Sequence, residues 1–306
     1  MKRVICIAGS TASGKSAFAV RLAKAVGGEV INADSMQVYR ELQVLSARPD
    51  ATEMAGVAHH LFGHISGSQR YSTGAWQREV VPVILDCLAQ DVTPILTGGT
   101  GLYFKSLTEG IADIPDVDNA VSQSSQALLD THGIAKFREM CADIDPIATA
   151  QVQGHDPQRL LRIYDVWAES GAPLSTWQAK TRPIIPVQFM HTAVLLPPRQ
   201  SLYEKINQRF DQMVELGGVD EARLVQALGL DPSLPMMKAI GLSHLLRHFQ
   251  DKLSYAEAID LAKRDSRRLA KRQMTWFRNQ TPDWQKLETA ADREAFLAHV
   301  VANPNV

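Results

Sequence analysis

Short apolar runs recur along the chain with the length and composition of buried parallel strands. Four of them predict strands: Val4–Ile7, Glu29–Ala33, Thr93–Thr97 and Thr192–Leu196. Helix-forming segments lie between them, one from Ser16 to a stop at Gly27 and another over Gly74–Gln90, where Pro82 predicts a kink or a late start. Strands that alternate with helices predict an α/β fold in which helices flank a parallel sheet.

The pattern changes between the third and the fourth predicted strand. Residues 116–186 are polar and carry apolar pairs such as Leu160–Leu161 at helical spacing. We therefore expect a helical insertion domain within a core formed by residues 1–115 and 187–306. The C-terminal part of that core is also predicted to be helical, with a long helix from Arg199 to Leu216 capped by Gly217 and Gly218.

The turn after the first strand matches the phosphate-binding pattern G-x-x-x-x-G-K-S. It consists of Gly9, Ser10, Thr11, Ala12, Ser13, Gly14, Lys15 and Ser16. A strand, this turn and a helix N-terminus aim backbone N–H groups and the positive end of a helix dipole at one point. Lys15 adds a full charge, and the Ser16 hydroxyl can ligate Mg²⁺. The alternative, a turn that only joins a strand to a helix, is less favoured because both flanking elements are present.

Polar or glycine-rich residues follow two further predicted strands. Asp34 comes directly after the second strand, and Gly98–Gly101 after the third. Ligands of open parallel sheets bind beyond the carboxyl ends of strands, so these residues are expected to face the same crevice as the phosphate-binding turn. Asp34 could also serve only as a turn residue, a common position for aspartate.

Composition narrows the choice of environment and partners. The chain has 306 residues, is 45% hydrophobic and 21% charged, and carries a net charge of −1, so any binding of nucleic acid requires a local cationic patch. Its three cysteines are scattered, which argues against a zinc site and for a reducing compartment. His59, His60 and His64 have no carboxylate or thiol at ligand spacing, which favours a surface or hinge loop there. With no run long enough to span a membrane, a cytoplasmic protein is expected.

A predicted helix over Ile259–Arg278 carries the local patch. At 100° per residue, one half of the helix collects Arg264, Arg267, Arg268, Lys271, Arg272 and Arg278. Charge on one side of an amphipathic helix usually means only a solvated face. Here Asp265 is the single carboxylate between Lys263 and Arg278, and this concentration of one sign favours a polyanion as partner.

Three functional classes fit these residues. A kinase would transfer the γ-phosphoryl group of ATP, a second type of enzyme would bind a diphosphate that leaves, and a binding module would use the nucleotide as a switch. A kinase should have a carboxylate after a strand to help hold Mg²⁺, whereas the strand through Ile95 and Leu96 ends in Thr97 and Gly98. A kinase also has no need of a one-sided cationic helix.

Over nearly its full length the chain resembles the tRNA dimethylallyltransferase (tRNA isopentenyltransferase) family of bacterial type. The segments that carry the resemblance are GSTASGKS (9–16), DSMQVYR (34–40), HHL (59–61), PILTGGTGLYFKSL (94–107), DPQRLLRIYDV (156–166) and RRLAKRQMTWFR (267–278). The resemblance implies transfer of a dimethylallyl group from dimethylallyl diphosphate to N6 of the adenosine 3′-adjacent to the anticodon in tRNA, with release of diphosphate. It also implies Mg²⁺ as cofactor, and we expect a monomer.

The resemblance assigns a role to each segment. Asp34 would be the general base, Thr100 an active-site threonine and Arg223 a diphosphate-contacting arginine. Gly9–Ser16 would hold the diphosphate, with Thr11–Ser16 as the substrate-binding part. The residues implied to contact tRNA are Asp34, Ser35, Met36, Gln37, Thr100, Gln158, Arg159, Leu160, Leu161, Arg162, Arg267, Arg268, Lys271 and Arg272, and the amide of Gln37 would read a base edge.

The chain departs from the family pattern at several positions. Ser10 replaces a proline and Gly63 an aspartate, and Leu242, Ser243 and Leu269 also differ. None of these changes removes Asp34, Lys15 or Thr100, so the chemistry is expected to survive.

Overall fold

The structure is a computed structural model and describes residues 2–305. Its six strands form one sheet with the order β3-β2-β4-β1-β5-β6, and every pairing is parallel. The strands are β1 (Val4–Gly9), β2 (Gly28–Asn32), β3 (His59–His60), β4 (Thr93–Gly98), β5 (Met190–Leu195) and β6 (Gln285–Leu287). The predicted α/β fold with a parallel sheet is confirmed.

Helices connect these strands and extend both beyond and between them. They are α1 (Lys15–Val26), α2 (Ala51–Met54), α3 (Thr73–Ala89), α4 (Gly101–Thr108), α5 (Asn119–Ile144), α6 (Pro146–Gln151), α7 (Pro157–Ser170), α8 (Leu174–Gln178), α9 (Arg199–Met213), α10 (Val219–Ala227), α11 (Leu242–Phe249), α12 (Tyr255–Gln280) and α13 (Ala290–Ala302). Helix α5 is interrupted at Gly133, whose φ is 74°. Among residues 2–305, no helix has the length and apolar character needed to cross a lipid bilayer.

The chain divides into two compact units. One comprises Glu109–Ile184, and the other Met1–Thr108 together with Ile185–Val306. The first unit contains α5–α8 around its own buried cluster, which includes Phe137, Leu160 and Val166. The second contains the sheet. The predicted insertion, residues 116–186, begins and ends a few residues later than the observed helical unit.

Helices cover both faces of the sheet in the larger unit. On one face Trp76 of α3, Phe104 of α4 and Phe277 of α12 belong to one buried cluster with side chains of the strands. On the other face Phe18 of α1 and Phe296 of α13 pack against the remaining strand side chains. Burial on both faces explains why β1 and β4 are almost continuously apolar in sequence.

Two helices differ from expectation. Pro82 lies inside α3, which runs without a break from Thr73 to Ala89, so the predicted late start is wrong. Pro82 is solvent-exposed, and water can therefore satisfy the carbonyl group that loses its helical N–H donor. The α-helix predicted to reach Leu216 ends at Met213, the last residue of α9. A π-helical turn follows it directly over Val214–Gly218.

Candidate active site

The phosphate-binding loop follows β1 and runs directly into α1. The N–H of Ser13 donates to the carbonyl of Ser10 at 3.3 Å, which closes the turn. Ala12 and Gly14 adopt left-handed φ values of 60° and 86°. Alternation of left- and right-handed residues gathers successive N–H groups into an anion-binding concavity, and the N-terminus of α1 adds its dipole to this point.

Lys15 is buried at the start of α1, where its Nζ lies 3.4 Å from the carbonyl oxygen of Ser10. Burial lowers the pKa of Lys15 to about 8, since the charged form loses its hydration. The charge of Asp34 opposes this shift and that of Arg209 adds to it. An anion bound at the loop would supply the charge partner that this ammonium lacks.

Arg209, which the sequence analysis did not single out, is an arginine beside the loop. It projects from α9 and lines a small cavity together with Thr11 and Ala12. Burial lowers its pKa, and the charges of Glu53 and Asp34 act in the opposite direction. The arginine predicted for this role, Arg223, is exposed on α10.

The contact of Arg223 explains its position. Its guanidinium carbon lies 4.4 Å from the ring centroid of Phe249, so the side chain makes a cation–π contact with α11. No contact joins Arg223 to the phosphate-binding loop among residues 2–305. The structure therefore favours Arg209 over Arg223 as the diphosphate-contacting arginine.

Asp34 follows β2 and is held by backbone groups. Its Oδ1 accepts a hydrogen bond from the N–H of Met36 at 2.9 Å, and its own N–H donates to Oδ1 of Asn32 at 2.9 Å. Asn32 is buried, and its Nδ2 donates to the carbonyl groups of Asp34 and Leu61, both at 3.0 Å. The second carboxylate oxygen of Asp34, Oδ2, has no hydrogen-bond partner within residues 2–305. One oxygen is fixed and the other is free to accept a proton.

Thr100 joins the ends of β2 and β4. Its Oγ1 accepts a hydrogen bond from the N–H of Ser35 at 2.9 Å and donates to Oγ of Ser35 at 3.2 Å. Its N–H donates to the carbonyl of Ala33 at 3.2 Å. A Cβ atom at Gly98 would lie 1.9 Å from that same carbonyl oxygen, so only glycine permits this approach. The predicted convergence of these two strand ends is confirmed.

Gln273 of α12 connects the phosphate-binding loop to the Gly98–Gly101 turn. Its Oε1 accepts a hydrogen bond from the N–H of Thr11 at 2.9 Å, and its Nε2 donates to the carbonyl of Gly99 at 3.0 Å. Sequence reasoning missed this residue because a glutamine within a cationic helix has no pattern of its own. The only available signal was its place in the segment RRLAKRQMTWFR.

A second polar cluster brings together Glu29, His60 and Cys87, whose donor atoms all lie within 4.8 Å of one another. The expectation that no carboxylate or thiol accompanies the histidines is wrong, since these partners come from β2 and α3. Nε2 of His60 lies 2.6 Å from Oε2 of Glu29, and the Cys87 thiol donates to the same oxygen at 3.7 Å. Burial, followed by the charge of Glu29, raises the pKa of Cys87 to about 11, and hydrogen bonds to Glu29 join the three side chains.

Comparison with known proteins identifies the family of this chain. Residues 37–280 match the model of the IPP transferase family, and residues 2–63 match that of the isopentenyl transferase family. Two relatives named tRNA dimethylallyltransferase are each 45% identical to the chain. The one from Caulobacter sp. (strain K31) aligns over 94% of both chains, and the one from Maricaulis maris (strain MCS10) over 99% of both. The chain belongs to the tRNA dimethylallyltransferase family.

A solved structure agrees with this assignment. The crystal structure of the full-length tRNA isopentenylpyrophosphate transferase from Bacillus halodurans superposes with a TM-score of 0.70 at 31% identity. The superposition covers 99% of this chain and 96% of that one.

Gln37 does not have a free amide. It is buried, and its Nε2 donates to the carbonyl groups of Ser46 and Ala47 at 3.1 and 2.8 Å. The expectation that this amide reads a base edge is therefore wrong for its N–H groups, which anchor the 46–47 backbone. Ser35 and Met36 are half-buried beside Asp34.

Helix α7 of the helical unit carries the second implied tRNA segment. Leu160 is 0% exposed and packs in the core of that unit, so the prediction that its side chain contacts tRNA is wrong. Leu161 is half-buried against the same cluster. Gln158, Arg159 and Arg162 are exposed, although Arg159 already pairs with Asp156 at 3.3 Å.

The cations of α12 are only partly free. Oδ1 of Asp265 accepts hydrogen bonds from Nε of Arg264 at 3.2 Å and from a guanidinium nitrogen of Arg268 at 3.1 Å. Arg267 donates a hydrogen bond to the side-chain oxygen of Asn207. Lys271 and Arg272, by contrast, are exposed and pair with no residue in the described part of the chain. The surface that can attract a polyanion is therefore smaller than the helical wheel indicates.

Proposed function

We propose that the protein transfers a dimethylallyl group from dimethylallyl diphosphate to N6 of the adenosine 3′-adjacent to the anticodon in tRNA. The observation that carries this proposal is the joint placement of two features on neighbouring strand ends. One is an anion-binding loop with two cations, the buried Lys15 and the half-buried Arg209. The other is Asp34, a carboxylate with a free oxygen.

The loop and its cations would bind the diphosphate. Backbone N–H groups of the Gly9–Ser16 loop and the charge of Lys15 stabilise the bound anion, and Arg209 supplies a second positive charge from α9. As the bond from carbon to the bridging oxygen breaks, negative charge builds up on the diphosphate. Donors that are already oriented toward that oxygen lower the barrier, because no solvent reorganisation is needed at that moment.

Mg²⁺ fits one position of this loop. The Ser16 hydroxyl lies at the N-terminus of α1 and has no hydrogen-bond partner among residues 2–305, so it can act as an oxygen ligand. A single protein oxygen suits Mg²⁺, which usually keeps several waters and takes further ligands from phosphates. When bound, the ion would neutralise charge on the leaving diphosphate.

Asp34 would act as the general base. The exocyclic amine of adenine is a weak nucleophile, and its N–C bond to the dimethylallyl carbon forms while the carbon–oxygen bond breaks. The proton lost from N6 passes to Oδ2 of Asp34, and the bonding electrons of the broken bond leave with the diphosphate. Thr100 fixes the backbone at Ser35, the residue after Asp34, and so holds the carboxylate in place.

The tRNA would be bound through its anticodon stem-loop. The target base must leave its stack to reach a crevice, and single-stranded loops permit this at a cost of a few kcal/mol. Lys271 and Arg272 of α12, and the exposed polar residues of α7 in the helical unit, would contact the RNA. We further propose that the enzyme works as a monomer in the cytoplasm.

Incubation with labelled dimethylallyl diphosphate, Mg²⁺ and unmodified tRNA tests this function. We expect label in tRNA, and its loss when the adenosine 3′ of the anticodon is replaced by guanosine. A parallel reaction offers [γ-³²P]ATP with small acceptors. Phosphoryl transfer without labelling of tRNA would show a kinase and would overturn the proposal.

A further inference from the structure

Gln273 occupies a position that none of the proposed catalytic roles explains. It comes from α12, far along the chain from both loops, yet its single amide group bonds to each of them. The acceptor oxygen takes the N–H of Thr11 in the phosphate-binding loop at 2.9 Å, and the donor nitrogen reaches the carbonyl of Gly99, next to Thr100, at 3.0 Å. An amide is the side-chain group that offers one donor and one acceptor at this spacing.

The packing around Gln273 leaves it little freedom. A Cβ atom at Gly99 would lie 2.2 Å from Nε2 of Gln273, so the turn approaches the amide as closely as only glycine allows. One helical turn on, the ring of Trp276 lies equally close to Gly101. Met274 and Phe277 are buried in the core under the sheet, which fixes the helix itself.

We propose that Gln273 is a positioning residue for the transfer reaction, setting the diphosphate-binding loop and the Thr100 turn at a fixed separation. The inference rests on the function proposed above. The leaving group is held by the loop, whereas Thr100 orients the backbone beside the base, Asp34. Transfer needs both at once, and displacement by about 1 Å can cost about 100-fold in rate.

The amide also lies two residues from Lys271 and next to Arg272, two exposed cations of α12 that pair with no residue among residues 2–305. The helix that would hold RNA phosphates is therefore the same element that aligns the two loops. Loss of the amide should leave both the cationic surface and the loops in place but remove the link between them.

The first test replaces Gln273 with methionine, which has a similar length and cannot form these hydrogen bonds. We expect kcat to fall by about tenfold or more and the KM for dimethylallyl diphosphate to rise, with tRNA affinity changed by less than about twofold. Gln280→Met on the same helix is the matched control, because its exposed amide accepts a hydrogen bond from Lys105 at 3.1 Å and bonds to neither loop among residues 2–305. A Gln273→Met enzyme with the kcat and KM of the control would overturn the proposal.

The second test uses Gln273→Glu and remains informative if the methionine variant folds poorly. An ionised carboxylate can still accept from Thr11 but cannot donate to Gly99, whereas the protonated form can do both. Activity relative to the wild type should therefore rise as the pH falls from about 8 to about 5. Lys15, Asp34 and Arg209, the charged groups of the same crevice, are present in both proteins, so the ratio isolates residue 273. A ratio that does not change with pH would contradict the role.

These outcomes separate the two proposals. If the wild-type protein transfers no label to tRNA, the function fails whatever Gln273 does. If the wild type is active and both variants behave like the wild type at every pH, only the positioning role fails.

Discussion

The hydroxyl of Thr100 accepts a hydrogen bond from the backbone N–H of Ser35 at 2.9 Å and thereby ties the end of β4 to the residue that follows Asp34. A threonine is thus placed to orient the carboxylate through the backbone. This contact gives Thr100 a structural role beside Asp34 although its side chain carries no charge.

Replacing Thr100 by valine tests the hydrogen bond between the Ser35 N–H and the Thr100 hydroxyl. The half-buried Ser35 N–H would lose its acceptor, at a cost no larger than the about 1–3 kcal/mol of a fully buried unpaired donor. We expect unfolding at a lower urea concentration and a kcat reduced by about tenfold. Thr100→Ser keeps the hydroxyl and should retain most of the activity; equal activity in the valine and serine variants would refute the assignment.

Arg209 and Arg223 offer a matched pair of substitutions. Arg209→Gln removes a half-buried charge beside the loop, and kcat/KM for dimethylallyl diphosphate should fall by about 100-fold. Arg223→Gln removes only the stacking on Phe249 and should change kcat/KM by less than about threefold. Steady-state kinetics with both variants decides between them, and the reverse order of effects would restore Arg223 to the site.

Lys15 predicts a dependence on pH. Its pKa of about 8 means that the free enzyme loses this charge as the pH rises through 8, so kcat/KM for the diphosphate substrate should decrease there. Bound diphosphate favours the charged lysine and raises its pKa, and kcat at saturating substrate should hold to a higher pH. A kcat/KM that stays level from about pH 7 to pH 9.5 would contradict the burial of a charged lysine at the loop.

The free cations of α12 can be tested by salt dependence. The slope of log K against log salt for tRNA binding should become shallower by about 0.7 for each phosphate contact removed, as in Lys271→Ala or Arg272→Ala. Arg268→Ala should have a smaller effect, since Asp265 already neutralises this guanidinium. Arg21→Ala, on α1 and paired with Glu294, controls for net charge. Identical salt slopes in all four variants would show that the cations of α12 are solvated and do not bind tRNA phosphates.

Much of the core was accessible to sequence reasoning for a physical reason. The predicted strands that became β1, β2, β4 and β5 are buried on both faces and therefore read as apolar runs. The edge strands β3 and β6 contain only two and three residues, and their mostly polar sequences are typical of loops. No local pattern could reveal them.

The candidate site likewise contains residues that the sequence could predict and residues that it could not. The phosphate-binding loop, Asp34 and Thr100 lie at strand ends, which topology brings together, so their convergence could be predicted. Arg209 and Gln273 approach from α9 and α12, and their positions depend on how those helices pack. The burial of Leu160 likewise depends on tertiary packing, which a motif match does not contain.

Transfer to adenosine with Asp34 as base is tested most directly by analysing the nucleosides of tRNA after reaction with the wild type and with Asp34→Asn. Asparagine keeps an oxygen for the Met36 N–H but cannot take the proton. Mass spectrometry should find N6-dimethylallyladenosine with the wild type, formed about 10²–10⁴-fold more slowly by Asp34→Asn at nearly unchanged tRNA affinity. Absence of this nucleoside with the wild type, or a rate within threefold in the variant, would contradict the mechanism.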